Sequence, residues 1–545
     1  MQFCSANLFA RLQLQESRSS RSSMAVKKQG LVFLLACVSL VSTSQFHKSP
    51  PPSFNGCYKG RSDGSINVQA VFDQGGVRGY VQFYQPTRGA PTEVNVNLEG
   101  LDQFSGTYPW HAHDLPVRNA LLKDFPCSRI EIGGHYDPNN VGDDQDYRVN
   151  CNQQNRTACE VGDFGRKLGR LRNDRQQQFF VDETLDLYGP QSIVGRSLVI
   201  HYPESPNNRF ICANVEPVGC RVKNLRAAFD NGVLQGEIVI RHVAGQDSAK
   251  IFVDLVQVVG DTTAVRDRTW SLHFGQPDSG NSCNGLRDAV AGDSDLHTFP
   301  DCTMEEHRLC RFGDLVAKCG PLQQVDGRMR LCCTDTQLGL IPLSTLFSPA
   351  NNHFISVRVG GLDSAPDACA RFDKVAPQVA KAKFSGKDIF GSVIFYQTSP
   401  LDRTFIQPHI QSIRRRNISL IIREGMVSDP KNCSADALGA IFSKPTGSIF
   451  SRPLSSNNIK TGDAFLIGNL GSAIPIAPGS QNQFDRSSSH YVPVFGPHTI
   501  VGHSLVVVQD VDGVAVPLAC GNIERLSNYP SGIFASFTGY QNTNA

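Results

Sequence analysis

The sequence has almost no net charge to act through, since 52 lysines and arginines stand against 50 aspartates and glutamates in 545 residues. Without a field of one sign, neither nucleic acid nor an anionic membrane surface is indicated as the main partner. Long apolar runs are equally scarce. The one prominent run, LVFLLACVSLV from Leu31, is shorter than the ~20 residues that cross a bilayer. No membrane span is expected, and the polar ending GYQNTNA lacks the hydrophobic tract of a lipid-anchor signal. Sustained helical periodicity is also scarce, which argues against an α-helical class. The length exceeds what one hydrophobic core supports and suits about three domains.

What is present begins with a leader. Lys27 and Lys28 precede the apolar run and Ser42, Thr43 and Ser44 follow it, the three-part pattern of a secretory signal peptide. The expectation is a leader over residues 1–44, read from Met1 or from Met24, and a secreted, extracellular protein. Asn155, Asn417 and Asn432 head Asn-X-Ser/Thr triplets and are glycosylation candidates on that route. With Cys4 and Cys37 in the leader, 15 of the 17 cysteines remain, which suggests disulfides in an oxidising compartment and one thiol left over.

Short runs rich in Val, Ile and Phe, separated by Gly, Pro, Asn and Asp clusters, make the class all-β. Self-comparison finds a unit of ~150 residues, too long for a solenoid turn, so each unit is read as a domain. VRGYVQFYQ from Val77, LQGEIVIRH from Leu234 and IFGSVIFYQ from Ile389 open the three units. VGDFG from Val161, FGDLV from Phe312 and IGNLG from Ile467 mark their middles. YGPQSIVGRSLVIH from Tyr188, FSPANNHFISVRV from Phe347 and FGPHTIVGHSLVVV from Phe495 lie near their ends. The expected boundaries are 57–220, 221–372 and 373–525, with a tail over 526–545. Cys151 and Cys159 precede Asp163 at the spacing with which Cys302 and Cys310 precede Asp314, so both pairs are read as local disulfides. Late cysteines Cys212, Cys369 and Cys520 are read as partners of Cys127, Cys283 and Cys433. Cys57 and Cys220 bracket the first unit as a further candidate pair, and Cys319, Cys332 and Cys333 supply one extra bridge plus the odd thiol.

In the first unit Trp110-His111-Ala112-His113 sets two imidazoles at i and i+2, on one face of a strand. His135 follows two glycines in GGHYDP, and His201 ends the strand SLVIH. Convergence of these segments would surround one ion with four imidazoles, a set suited to copper, zinc, iron or nickel. Each histidine alone reads equally well as an ordinary packed or surface residue.

The ordered blocks HAH at His111, Cys127, GGHYDP at His135, VGDFG at Asp163, SIVGRSLVIH ending at His201 and NRFICANV with Arg209 and Cys212 resemble the copper/zinc superoxide dismutase family over residues 57–216. The tandem arrangement is similar to the copper-only superoxide dismutase repeat proteins of animals. The resemblance implies tandem Greek-key domains, each an eight-stranded β-sandwich or flattened barrel. It implies copper held by His111, His113, His135 and His201, with Arg209 beside the open metal position and a Cys127–Cys212 disulfide. Superoxide is the implied substrate, dioxygen and hydrogen peroxide the products, and Arg209 and His135 the residues given catalytic roles; Arg209 alone also reads as a surface arginine.

The departures from the family pattern carry expectations of their own. No histidine lies between Tyr136 and Gly162, and Glu160 stands where one is needed for zinc. Asp163 is then only a remnant of a zinc site, which normally takes four ligands, and zinc is not expected. Turn capping is the role favoured for Asp163. Asp182 and Glu183 are candidate partners for the second nitrogen of His135, and both also read as solvated strand-end carboxylates. Only seven residues separate His201 from Arg209, too few for a long charged loop over the metal, so an open site is expected.

The second unit keeps only His273 of the paired histidines and has Arg358 or Val359 near the place of His201. The third has Leu420-Ile421-Ile422-Arg423, Ile441, Val508 and Pro517 at the places of the ligands and of Arg209. These degenerate units are expected to fold as spacers, stabilisers or surfaces for an extracellular protein partner. Arg414-Arg415-Arg416 reads as a solvated face or a small polyanion contact. Two functions therefore stand side by side: a secreted copper-dependent superoxide dismutase acting through the first unit, and an extracellular copper-binding or matrix-interaction protein with little or no dismutase activity.

Overall fold

In the computed structural model the described residues run from 64 to 527, apart from 119–125, 244–247, 259–265, 275–282, 289–301, 339–352, 360–367, 443–467 and shorter breaks. The leader, Cys57, Cys220, Arg415 and the tail from residue 528 onward lie outside the described residues.

The first unit contains β1 (Ile66–Gln74), β2 (Val77–Gln85), β3 (Thr92–Glu99), β4 (Thr107–Tyr108), β5 (Trp110–His113), β6 (Leu171–Arg172), β7 (Gln177–Asp182), β8 (Ser197–His201) and β9 (Arg209–Pro217). Seven of them form one sheet in the order β5-β8-β9-β1-β2-β3-β7, and β4 pairs with β6. The joins β9 to β1, β3 to β7 and β5 to β8 are crossovers of the Greek-key kind. Pro109, between β4 and β5, has no N–H for a ladder and divides what would otherwise be one strand.

The second unit shows the undivided version. Its strands are β10 (Val222–Asp230), β11 (Leu234–Val243), β12 (Ala249–Gln257), β13 (Arg266–Phe274), β14 (Arg287–Asp288), β15 (Leu322–Val325), β16 (Arg328–Asp335), β17 (His353–Val359) and β18 (Ala368–Lys374). Because β17 pairs with both β18 and β13, and β13 with β15, eight of these strands close into a barrel. The third unit repeats the plan from β19 (Gln378–Ser385), β20 (Ile389–Gln397) and β21 (Thr404–Ser412) to β22 (Arg416–Arg423), β23 (Ile474–Ile476), β24 (Asn482–Gln483), β25 (Ser487–Ser489), β26 (Ser504–Val511) and β27 (Val514–Arg525). The molecule is thus all-β, with one strand plan recurring in the three units.

The glycine common to the three opening strands has a steric cause. Gly79, Gly236 and Gly391 all take positive φ, and a Cβ there would lie 1.9, 2.2 and 2.1 Å from a carbonyl oxygen of the next strand. Only glycine admits that approach. The alternate residues Val81, Phe83, Val94, Val96 and Leu98 bury the inner face of the first unit around Trp110 and Phe164. Trp110 Nε1 donates to Gly169 O at 2.8 Å, and Trp270 Nε1 does the same to Gly320 O at 2.9 Å. The two units therefore share one core plan down to a single indole bond.

Candidate metal centre

His111 and His113 sit on β5, which pairs with β8 so that His111 faces Val199 and His113 faces Ser197. His201, at the end of β8, lies past a β-bulge opposite Arg209 and donates its backbone N–H to Pro109 O at 2.9 Å. His135 reaches the same place from a loop. Ser128 caps the short helix Arg129–Ile132, accepting from Glu131 N, and Gly133 ends it at φ 76°. The chain then bridges His135 against His113, and Tyr136 N donates to Ala112 O at 2.8 Å. Gly162 N bonds Tyr136 O in turn, which lays the VGDFG segment alongside β5.

Each of the four imidazoles offers one nitrogen to a cluster spanning no more than 4.8 Å. Metal–imidazole bonds of ~2.1 Å separate opposite ligands by ~4.2 Å, so the cluster has the size of one coordination sphere. The rings of His111 and His135 lie 3.9 Å apart, and that of His201 stands edge-on to His111 at 4.8 Å. His111 Nδ1 and His113 Nε2 are buried with no hydrogen-bond partner. An orphaned ring nitrogen is costly without an acceptor or donor, and a metal removes that cost. Burial lowers the pKa of His111 and, much further, that of His113, which favours the neutral, ligating form. His135 alone keeps an exposed side chain, at 36%, so the cluster opens to solvent on its side. The residues present fit a copper ion.

Two carboxylates fix ring orientation. Asp163 Oδ1 lies 3.3 Å from His111 Nε2, leaving Nδ1 to face the cluster. The same side chain caps the helix Phe164–Lys167 through Arg166 N and accepts from Tyr147 Oη at 2.8 Å. Burial alone would raise its pKa, but the bonds from His111, Arg166 and Tyr147 outweigh burial and hold it at about 2. Capping is therefore half of its role. Glu160 Oε2 lies 2.9 Å from His135 Nδ1. This corrects the assignment of Asp182 or Glu183: Asp182 is buried against Lys167 Nζ at 2.8 Å and accepts from Thr184, far into the core side of β7. Periodicity gave no sign of Tyr147, and the signal for Glu160 was its place three residues before Asp163.

Arg209 is half-buried beside the cluster. Its guanidinium donates to Cys127 O at 2.8 Å and to Gly133 O at 2.6 Å. Burial, then the charge on Arg129, lower its pKa to about 10, so it stays cationic at neutral pH. The disulfide Cys127–Cys212 ties the loop carrying one of these carbonyls to β9. The hairpin between His201 and Arg209 is short, with Tyr202 N bonded to Asn208 O.

Among the described residues the other units show no such set. His273 bonds the hydroxyls of Ser271 and Ser356 at 2.8 and 2.7 Å, and the β13–β17 register sets Arg358, one past Val357, where His201 follows Ile200. In the third unit Ile441 bridges Arg423, and Val508 pairs with Pro517 at a bulge matching that of His201 and Arg209. Arg423 donates to Gly439 O at 2.6 Å; a guanidinium from a former ligand position thus serves the carbonyl that Arg209 serves in the first unit.

Among the described residues the remaining cysteines pair as Cys151–Cys159, Cys283–Cys369, Cys302–Cys310, Cys319–Cys333 and Cys433–Cys520, and Cys332 is a buried thiol. Asn155, Asn417 and Asn432 are all exposed. Among the described residues no helix is long and apolar enough to cross a membrane.

Comparison with known proteins bears on the same stretch. The copper/zinc superoxide dismutase family profile matches residues 77–214. A cell-surface Cu-only superoxide dismutase 5 of Candida albicans is 28% identical over 159 residues, 28% of this chain and 62% of that protein. A Cu-Zn superoxide dismutase of Onchocerca volvulus is 30% identical over 137 residues, 25% of this chain and 75% of its own length. The extracellular Cu-Zn enzyme of Drosophila melanogaster is 30% identical over 128 residues, 23% of this chain and 59% of that protein. The solved Cu(II) structure of the Candida enzyme is 26% identical and covers 28% of this chain and 92% of that one, with a TM-score of 0.23. The family profile and the histidine cluster meet in the first unit, and with the Onchocerca relative they show that the chain belongs to the copper/zinc superoxide dismutase family.

Proposed function

We propose that the first unit is a secreted, copper-dependent superoxide dismutase that works without zinc. The observation that carries this reading is the four-imidazole cluster with a cationic guanidinium held beside it by two backbone carbonyls. Bound copper would supply a one-electron couple that takes an electron from one superoxide, releasing dioxygen, and passes it to a second, which takes up two protons from solvent and leaves as hydrogen peroxide. His111 Nδ1 and His113 Nε2 would hold the ion from the buried side, with His135 and His201 completing the set. Arg209 would dock the anion, since its remaining N–H groups and fixed charge suit a small oxyanion. The open side next to His135 gives that anion a short approach.

The zinc-free reading rests on Glu160. The nitrogen of His135 that would bridge to a second metal is already bonded to this carboxylate, and Asp163 is engaged with His111, Tyr147 and Arg166. Secretion is supported by the leader pattern, the disulfides and the exposed sequons. The alternative, extracellular copper binding or partner interaction with little turnover, draws on two of three units lacking ligands. Copper-loaded full-length protein should suppress superoxide-driven cytochrome reduction, and Arg209→Ala should weaken that ~10-fold through lost steering and docking. Stoichiometric copper with no suppression would favour the alternative.

A further inference from the structure

We propose that the second unit is a built-in positioning partner for the metal centre, acting through Arg330 on the loop that holds Arg209; this rests on the dismutase reading of the first unit. The helix Arg129–Ile132 lies between Cys127 and Gly133, the two residues whose carbonyls hold Arg209. A helix of one turn leaves its last carbonyls without intrahelical N–H donors. Arg129 O receives Gly133 N and Ile132 O receives Leu115 N. The two carbonyls between them, of Ile130 and Glu131, receive the guanidinium of Arg330 from β16 of the second unit. A cation is the favoured group at that end of a helix.

Arg330 is itself held. It lies opposite Asp254 in the β12–β16 ladder, with its Nε 3.8 Å from Asp254 Oδ2. Asp254 also takes Arg328 at 2.9 Å, and at 2.9 Å Arg118, which belongs to the same loop of the first unit and pairs in addition with Glu237. A second brace comes from Arg196, which donates to Asp114 O, next to His113, and at 2.9 Å to Cys332 O of the second unit. Its guanidinium stacks 3.6 Å over Tyr136, next to His135. The loop is thus gripped from the second unit at Arg118 and at the helix end, while Arg209 grips it from the metal side. Removal of Arg330 leaves two carbonyls to find water, and the natural adjustment moves Gly133 O away from Arg209.

The test uses the full chain with Arg330→Met and Arg330→Lys. In metal-free protein, amide hydrogen exchange across residues 126–135 should rise ~10-fold or more in Arg330→Met, a change expected of locally lost protection. In copper-loaded protein kcat/KM for superoxide should fall ~3- to 10-fold and lose salt dependence, as steering by Arg209 weakens. Copper content and the copper spin-resonance spectrum should stay as in the parent, Lys should restore part of the rate, and Arg330→Met should add nothing to Arg209→Ala. Unchanged exchange, or an equal rate loss with and without Arg209, would overturn the inference. Absent turnover in the parent chain would instead defeat the dismutase reading, with the exchange measurement still deciding whether Arg330 holds the loop.

Discussion

His135 Nδ1 lies 2.9 Å from Glu160 Oε2, across 25 residues of chain, on the one imidazole of the cluster that faces solvent. The contact makes Nδ1 the donor and leaves Nε2 as the ligating nitrogen, the kind of outer support that metal-bound histidines usually have. Glu160 is itself boxed in: its backbone N–H meets Tyr147 Oη at 3.3 Å, and a Cβ on Gly142 would come within 2.3 Å of its carboxylate.

Glu160→Ala should therefore weaken copper binding ~10- to 100-fold, the range typical of lost outer support. Glu160→Gln keeps an acceptor and should fall between the parent and Ala. Chelator competition on the full chain measures both, and equal affinities in the three proteins would remove Glu160 from any supporting role.

Zinc should fail to compete. A closed zinc site takes four ligands, and beyond the copper set the stretch from Tyr136 to Gly162 supplies no histidine. After reconstitution with both metals, elemental analysis should find about one copper and little zinc per chain. Stoichiometric zinc alongside copper would refute the reading of Glu160 and Asp163.

The ion pair Lys167–Asp182 is buried at both ends, with side-chain exposures of 1% and 0%. Breaking such a pair on one side strands a charge, which typically costs ~3–5 kcal/mol. Asp182→Ala should lose about that much in chemical denaturation, whereas a double replacement of Lys167 and Asp182 by Met and Leu should recover much of it. The second unit carries the same arrangement in Lys318 and Asp335, so the cost should recur there.

Much of this architecture was legible in the chain. Strand alternation in VRGYVQFYQ and its two counterparts marks β2, β11 and β20, and the shared glycine is explained by one close backbone approach. HAH sets His111 and His113 on one face because period-two geometry fixes it, whereas their meeting with His135 and His201 was implied only by the family resemblance. The partner of His135 was not legible. Glu160 and Asp182 are both carboxylates within reach in sequence, and the choice depends on the path of the loop between Tyr136 and Gly162, including the left-handed turn at Asn140. Lys167 likewise looks like a surface lysine until the core closes over it. Arg118, Arg196 and Arg330 give no signal of their own for the same reason, since contacts between units leave no period in the sequence.

Lys250 offers a probe of the seam between the first two units. Its ammonium is buried on β12, donating to Ser192 O of the first unit at 2.9 Å and to Thr334 Oγ1 of β16. Burial is the main force on it; a charge on Cys332 acts the opposite way and Arg196 adds to the depression, bringing its pKa from 10.5 down to about 7. Between those values the unfolded chain holds a proton that the folded chain lacks, so stability rises with pH across that window. Below about pH 7 both states are protonated and this gain is absent; above about 10.5 it is fully present. Subtracting the unfolding free energies of Lys250→Met from those of the parent, in steps from pH 6 to pH 10, isolates the contribution from other groups that titrate there. The difference should climb in favour of the parent as pH increases, and a flat difference would mean that Lys250 keeps its proton in the folded protein.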